Sequence, residues 1–508
     1  MIITILLTCL FLVITYLCVA HFGRNGRLID QIPGSICFPT PYVIQICSYS
    51  PEQLWLLALD YAKRFYPISK FWVLTIPNVL IYHPDDVQKV LSGMEHTVKG
   101  YEYKLLHPWL GDGLLTSQGA KWHKRRKILT PAFHFSVLKE FVKTFIEEGD
   151  RAVKSFNPAE ESIIEDVMLF TSHHTLNAIC ETSMGIFLND SDQSQQYRQT
   201  IHHMGKLMFN RFLKPWLFND TIFNLTSLST TQSKYLNILH SFTEKIIANR
   251  KRYHEETRER YLKYFENNTE IEDKEITGNK KKRMAMLDIL LAESRNGNLI
   301  DSDIREEIDT FVFEGHDTVA TSLCFSLLLL AEHKDIQDRV RNEINEVMQE
   351  NNGKLTMNAL QNLPYLDRCL KESLRLYPSV FFISRVCTTG LKLQSYIIPK
   401  NTTVHLFIYA LHHDPNFWPN PEVFDPDRFL PENIQKRHPY SYVPFSAGLR
   451  NCIGQRFAML ELKAIIASLM YNFYLEPIDY LKDVSLKVDI ILRASRPIRM
   501  KVIPIKRE

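Results

Sequence analysis

The chain has 508 residues, 45% of them hydrophobic, which is ample for a large packed core in one or two domains. With 60 Lys and Arg against 57 Asp and Glu the net charge is only +3, so nothing global selects a nucleic acid as partner. The nine cysteines are scattered, odd in number and without a C-x-x-C pair, which argues against a disulfide framework and for reduced thiols in a cytosol-facing body.

Residues 2–20 are almost entirely apolar and uncharged, near the length that crosses a bilayer as a helix. Cys18-Val19-Ala20 offers small residues for signal-peptide cleavage, but no basic residue precedes the apolar run, so residues 1–22 are expected to be an uncleaved membrane anchor. Arg24 and Arg27 follow the run, and the positive-inside rule keeps them and the body on the cytosolic side. The sequons at Asn189, Asn219, Asn224, Asn267 and Asn401 would then never meet the glycosylation machinery. Residues 23–45, with Pro33-Gly34 and Pro39-Thr-Pro41, are expected to be a stiff, turn-prone linker, and residues 46–508 the main domain.

The stretch 71–82 alternates in polarity and is split by Pro77-Asn78, which predicts a hairpin. Amphipathic or apolar patterns then predict long helices over 137–155, 163–184, 232–264, 302–333 and 363–376, with strand-like, turn-rich pieces after Pro378. The lysine-rich run 278–283 reads as a solvated loop. No internal repeat is visible, and no G-x-G-x-x-G nucleotide fingerprint follows a strand.

Four constellations carry chemistry. Trp122 and Arg126 stand at i, i+4 and share a helix face, while Lys121, Lys124, Arg125 and Lys127 point mostly elsewhere; alone, this is an ordinary basic surface helix. Glu314, Asp317 and Thr318 stand at i, i+3 and i+4 on a largely apolar helix, with Gly315 leaving room beside them for a bound molecule. Two acids and an alcohol there are costly unless used or paired. By themselves they suit a wet helix end as readily as a site that uses them. Glu372-x-x-Arg375, followed by Phe424-Asp-Pro-Asp-Arg428-Phe429, would by itself be no more than a surface ion pair and a turn.

The fourth constellation is Phe445-Ser-Ala-Gly448-Leu-Arg450-Asn-Cys452-Ile-Gly454, just before an apolar helical run that starts near Phe457. A thiolate close to a helix start is favoured by the positive end of the helix dipole and can bind a metal directly. Gly448 and Gly454 would let a large flat ligand such as haem lie against the backbone, and Arg450 suits a haem propionate. The bland alternative is a buried, inert cysteine.

These ten residues match every fixed position of F-x-x-G-x-R-x-C-x-G, and the loop resembles that of the cytochrome P450 monooxygenases. With Glu307 to Thr318, Gly111-Asp-Gly113-Leu-Leu-Thr116 and Trp122 to Phe133, the resemblance spans nearly the whole chain and is closest to family 4. It implies a mainly α fold with small β-sheets (α+β), a haem whose iron takes an axial thiolate from Cys452, and propionate contacts from Trp122, Arg126, Arg385 and Arg450. It implies covalent attachment of the haem through Glu314, catalytic roles for Asp317 and Thr318, and a buried network of Glu372, Arg375 and Arg428 bracing the cysteine loop. Electrons would come from NADPH through NADPH-cytochrome P450 reductase at the endoplasmic reticulum membrane, with cytochrome b5 as an optional second donor. The implied activity is terminal hydroxylation of a fatty acid or related lipophilic, long-chain substrate, against oxidation of xenobiotics such as insecticide-like compounds, or of hormones, by the same chemistry. More distant alternatives are a haem-thiolate isomerase or dehydratase and a haem sensor. Two departures stand out: Val319 where a second threonine is usual, and the bulky Phe381-Phe382 pair bordering the substrate channel.

Overall fold

The structure, a computed structural model, describes residues 2–34, 48–73, 75–93, 95–188, 191–256 and 284–506. Pro39-Thr-Pro41, the run 278–283, the sequons at Asn189 and Asn267 and the far end of the helix expected over 232–264 lie outside these residues. As expected, the described chain is mainly helical with small sheets. It divides into two units that interleave along the sequence: Met1–Tyr103, Val380–Val423 and Ile434–Cys452 form the first, and Lys104–Ser379, Phe424–Asn433 and Ile453–Glu508 the second.

The first unit is built on a four-stranded sheet in the order Ile68–Val73, Ile76–Ile81, Thr403–Phe407, Phe382–Val386. The expected hairpin is present, but it turns before Ile76, and Pro77 lies inside the second strand opposite Trp72. The proline is tolerated because the ladder to Thr403–Phe407 begins only at Asn78, so at Pro77 that strand has a neighbour on one side alone. All five residues of Thr403–Phe407 are buried, as befits a central strand covered on both faces. Part of the expected linker also belongs to this unit. Arg24–Asp30 is helical, Ile29 and Ile32 are buried in the same core as Ile68, Val79 and Leu406, and Asp30 holds the buried Lys70 at 2.7 Å.

The segment expected to be an anchor is a helix, Ile2–Phe22, without a charged residue in its first turn, but several of its side chains lie outside the description. Among the described residues no helix is long and apolar enough to cross a membrane.

The second unit is organised around Asp301–Glu332, a 32-residue helix. Asp301 and Asp303 lie in its first turn, where carboxylates meet the positive end of the dipole, and the Asp303 carboxylate accepts the Ile300 N–H at 3.1 Å. From Val319 to Ala331 it is buried without interruption, so it needs partners on every side. The expected helices over 137–155 and 163–184 appear as Phe135–Lys154 and Val167–Met184, the latter preceded by a short strand, Ser162–Ile164. The closest neighbour is Val167–Met184. A Cβ on Gly315 would lie 2.6 Å from Ile179 Cδ1, so this glycine lets two helices approach and does not leave space for a ligand, as the sequence had suggested.

Buried charges lock the unit. Glu372 and Arg375 are fully buried and paired through two hydrogen bonds of 2.7 and 2.8 Å. The same carboxylate accepts from Arg428 Nε at 3.2 Å and from the Asp425 N–H at 3.0 Å. Removing the acid would take the carboxylate away from the buried Arg375 and the half-buried Arg428, a loss of about 3–5 kcal/mol. Glu372→Ala should therefore fail to retain haem or melt far below wild type, while an unchanged melting temperature would show that the network is dispensable.

Two acids on the central helix have gone the other way. Burial pushes Glu307 and Asp309 up to about 8; Arg125 and the Leu114 N–H oppose this at Glu307, and the Thr243 hydroxyl opposes it at Asp309. Such acids are protonated in the folded chain and ionised in the unfolded one between pH 4 and 8, so folding stability falls as pH rises through that window. Asp309→Asn removes one of these linked protons. The drop in apparent melting temperature between pH 5 and 8 should shrink by about 2–4 °C, and an unaltered slope would show that Asp309 is ionised when folded.

Candidate active site

In the first unit the cysteine loop follows Tyr442 and ends at the unit boundary. Gly448 opens a 3₁₀ turn, Gly448–Arg450, with φ +68°, and a Cβ on it would lie 1.9 Å from the Leu91 carbonyl oxygen. Both conditions demand glycine, but the absent side chain makes room for the helix Pro84–Ser92 and not for a flat ligand. The Asn451 N–H closes the turn on Gly448 at 3.2 Å, and the Cys452 N–H donates to Phe445 O at 2.9 Å. The loop therefore holds the cysteine backbone from both sides. Among the described cysteines Cys180, Cys324, Cys369 and Cys387 are buried, whereas Cys18, in the N-terminal helix, and Cys452 are exposed. Burial pushes the thiols of Cys180, Cys324 and Cys369 far up and that of Cys387 to about 12, which leaves them inert.

Arg450 is buried. Arg385 sits on the edge strand Phe382–Val386, opposite Val404, and is 2% exposed. Its Nη1 donates to Ser384 O at 2.8 Å, no carboxylate lies within ion-pair distance among the described residues, and burial pulls it below its usual value. A buried cation without a counter-charge is costly, and a haem propionate is an anion of the type it lacks. That, and the exposed thiol in a rigid loop, are the features that fit haem. Phe381 behaves otherwise: it packs edge-on against Trp55 at 5.6 Å within an aromatic cluster that includes Phe407 and Tyr409, so it is a core residue of this unit.

In the second unit Trp122 and Arg126 lie on the helix Gly119–Leu129. Trp122 is buried and Arg126 half-buried. Arg125, expected to point away, is also buried. It pairs with Asp303 and approaches Glu306 and Glu307 at 3.6 Å, because i, i+3 places it beside Trp122 on the face that packs inward.

Glu314, Asp317 and Thr318 are half-buried on one face of the central helix. The Thr318 hydroxyl donates to Glu314 O at 2.6 Å, so its lone pairs remain available to accept a hydrogen bond. Asp317 is not a free acid: Arg493 Nη2 holds its Oδ2 at 2.6 Å. Burial pushes Asp317 upward, but Arg493 outweighs it and keeps the carboxyl below the ordinary range. Arg493 lies 176 positions downstream in no recognisable motif, and sequence reasoning missed it. It also missed Ser379, which donates to Thr318 O at 2.7 Å and meets Ser322 at 2.8 Å.

A cytochrome P450 family model matches residues 35–502. Cytochrome P450 4c3 of Drosophila melanogaster is 36% identical, covering 96% of this chain and 92% of its own. Cytochrome P450 4V2 of Homo sapiens is 35% identical over 95% and 92%, and cytochrome P450 4c21 of Blattella germanica is 36% identical over 96% and 97%. Among solved structures, the haem domain of cytochrome P450DA aligns with a TM-score of 0.77 over 94% of this chain and 98% of that one, at 21% identity. With its cysteine loop and helix acids in place, the chain belongs to the cytochrome P450 family, as a monooxygenase of the family 4 type that carries haem on a cysteine thiolate.

Proposed function

We propose that this monooxygenase inserts one oxygen atom into the terminal C–H bond of a fatty acid or related long-chain lipid. The second oxygen leaves as water with two protons and with two electrons that come from NADPH through NADPH-cytochrome P450 reductase. The observation that carries the reading is the Asp317 and Thr318 pair on a buried helix, joined to family 4 relatives along the whole chain. Bound haem supplies the activation of dioxygen, with a thiolate ligand favouring O–O cleavage. Cys452 would ligate the iron, and Trp122, Arg126, Arg385 and Arg450 would hold the propionates. Thr318, its own hydrogen committed to Glu314 O, would accept a hydrogen bond from a proton-carrying water, and Asp317 would pass the proton to it. Thr318→Ala should still consume NADPH while releasing several-fold more peroxide, and unchanged product per NADPH would remove Thr318 from the relay.

A terminal methyl has stronger C–H bonds than the neighbouring methylene, so selectivity there requires steric denial of the easier carbon. Glu314, as the site of an ester to the haem, would fix the cofactor against tilting. Phe382, half-buried at the start of its strand, would narrow the approach. Acidified organic solvent should leave haem on wild type and extract it from Glu314→Ala, and the ratio of terminal to penultimate alcohol should fall in Glu314→Ala and Phe382→Ala. Mainly mid-chain products from wild type, or no lipid oxidised in a panel, would favour xenobiotics or hormones as substrates instead.

The helix Ile2–Phe22, followed by Arg24 and Arg27, supports anchoring in the endoplasmic reticulum membrane with the body in the cytosol, where the reductase, and cytochrome b5 as a second donor, could reach it. Protease added to sealed microsomes should digest the body; protection, or a glycan on Asn224, would reverse the topology.

A further inference from the structure

A cavity of about 330 Å³ in the second unit is walled by His316 and Asp317 of the central helix, by Arg493, and by His202 and Lys206 of the helix Asp192–Phe212. His202 and Lys206 are exposed and His316 is 3% exposed, so the cavity runs from solvent to the back of Asp317. Three polar atoms along it have no hydrogen-bond partner among the described residues: His316 Nδ1, Asp317 Oδ1 and Arg493 Nη1. Orphaned buried polar groups are costly unless water satisfies them. His316 is also held rigidly. Its Nε2 meets the Ser172 hydroxyl at 2.8 Å, and its carbonyl accepts the Thr175 hydroxyl at 3.2 Å. Burial pushes it down to about 4, which leaves a neutral ring in neutral solution.

We propose that His316 is a positioning residue for the known reaction, fixing through Nδ1, together with Arg493 Nη1, the ordered water by which solvent protons reach Asp317. The inference rests on the reading of Asp317 as the relay acid. A proton enters at the exposed mouth as hydronium, O–H bonds break and re-form along the waters, and Asp317 Oδ1 receives it; no oxidant or reductant takes part. Arg493 keeps its grip on Oδ2 meanwhile, so the carboxylate does not turn away from the cavity.

The test uses full-length holoenzyme, each variant first checked for its ferrous carbon monoxide spectrum and melting temperature. His316→Gln retains a group that reaches Ser172 but places nothing at Nδ1, whereas His316→Asn places an amide there. Peroxide released per NADPH should rise several-fold in His316→Gln and return most of the way in His316→Asn. A crystal structure of wild type should show ordered water bonded to both Nδ1 and Arg493 Nη1, and that of His316→Gln should lack it. A dry cavity in wild type, full coupling in His316→Gln, or equal losses of coupling and melting temperature in both variants would overturn the inference. Asp317→Asn separates the two readings: if it uncouples while His316→Gln does not, the relay stands and the inlet falls, and if it stays coupled, both fall.

Discussion

Hydroxyl groups donating to the backbone carbonyls of the central helix are the interaction on which the second unit depends. Thr318 donates to the carbonyl of Glu314, Thr175 to that of His316, Ser322 and Ser379 to that of Thr318, and Thr171 to that of Ala320. Two of these donors come from the helix Val167–Met184 and one, Ser379, from beyond Pro364–Leu376. Each is worth only about 1 kcal/mol net, yet together they fix the rotation of Asp301–Glu332 against its neighbours at the turn that carries Glu314, Asp317 and Thr318. Side-chain geometry at the site is thus inherited from packing at the back of the helix.

The buried charges follow a single rule with two outcomes. Where a cation outweighs burial the acid is held below its usual range, as in Asp288 with Arg250 and Asp317 with Arg493. Where burial wins the acid is pushed upward, as at Asp309 and Glu461 and, even beside an arginine, at Glu307 and Glu372. Asp317 belongs to the first group, yet only one of its oxygens is paired and the other is bare. A carboxylate in that state can exchange a proton without leaving its place.

Much of this was legible in the chain. The loop from Phe445 to Gly454 declared a held thiol because a metal-binding cysteine needs glycine and arginine at fixed short offsets, and contiguous residues preserve those offsets whatever the rest of the fold does. Helix limits were also legible: apolar periodicity over 302–333 predicted Asp301–Glu332 to within one residue, since a 3.6-residue repeat is a local property. Glu372-x-x-Arg375 and the later arginine were visible as a set, and they do meet.

What the sequence determined alone was the set of chemically specialised residues and the elements that carry them. What only the tertiary structure decided was what each small or charged side chain is for. Gly315 looked like room for a ligand and proved to be room for Ile179. Arg125 looked like surface charge and proved to be the partner of Asp303 and Glu307, and Asp317 acquired its guanidinium from Arg493. The physical reason is common to all three. A contact across 130 to 180 residues leaves no period and no spacing in the chain, because it exists only after intervening helices have packed and brought the two side chains within a few ångströms of each other.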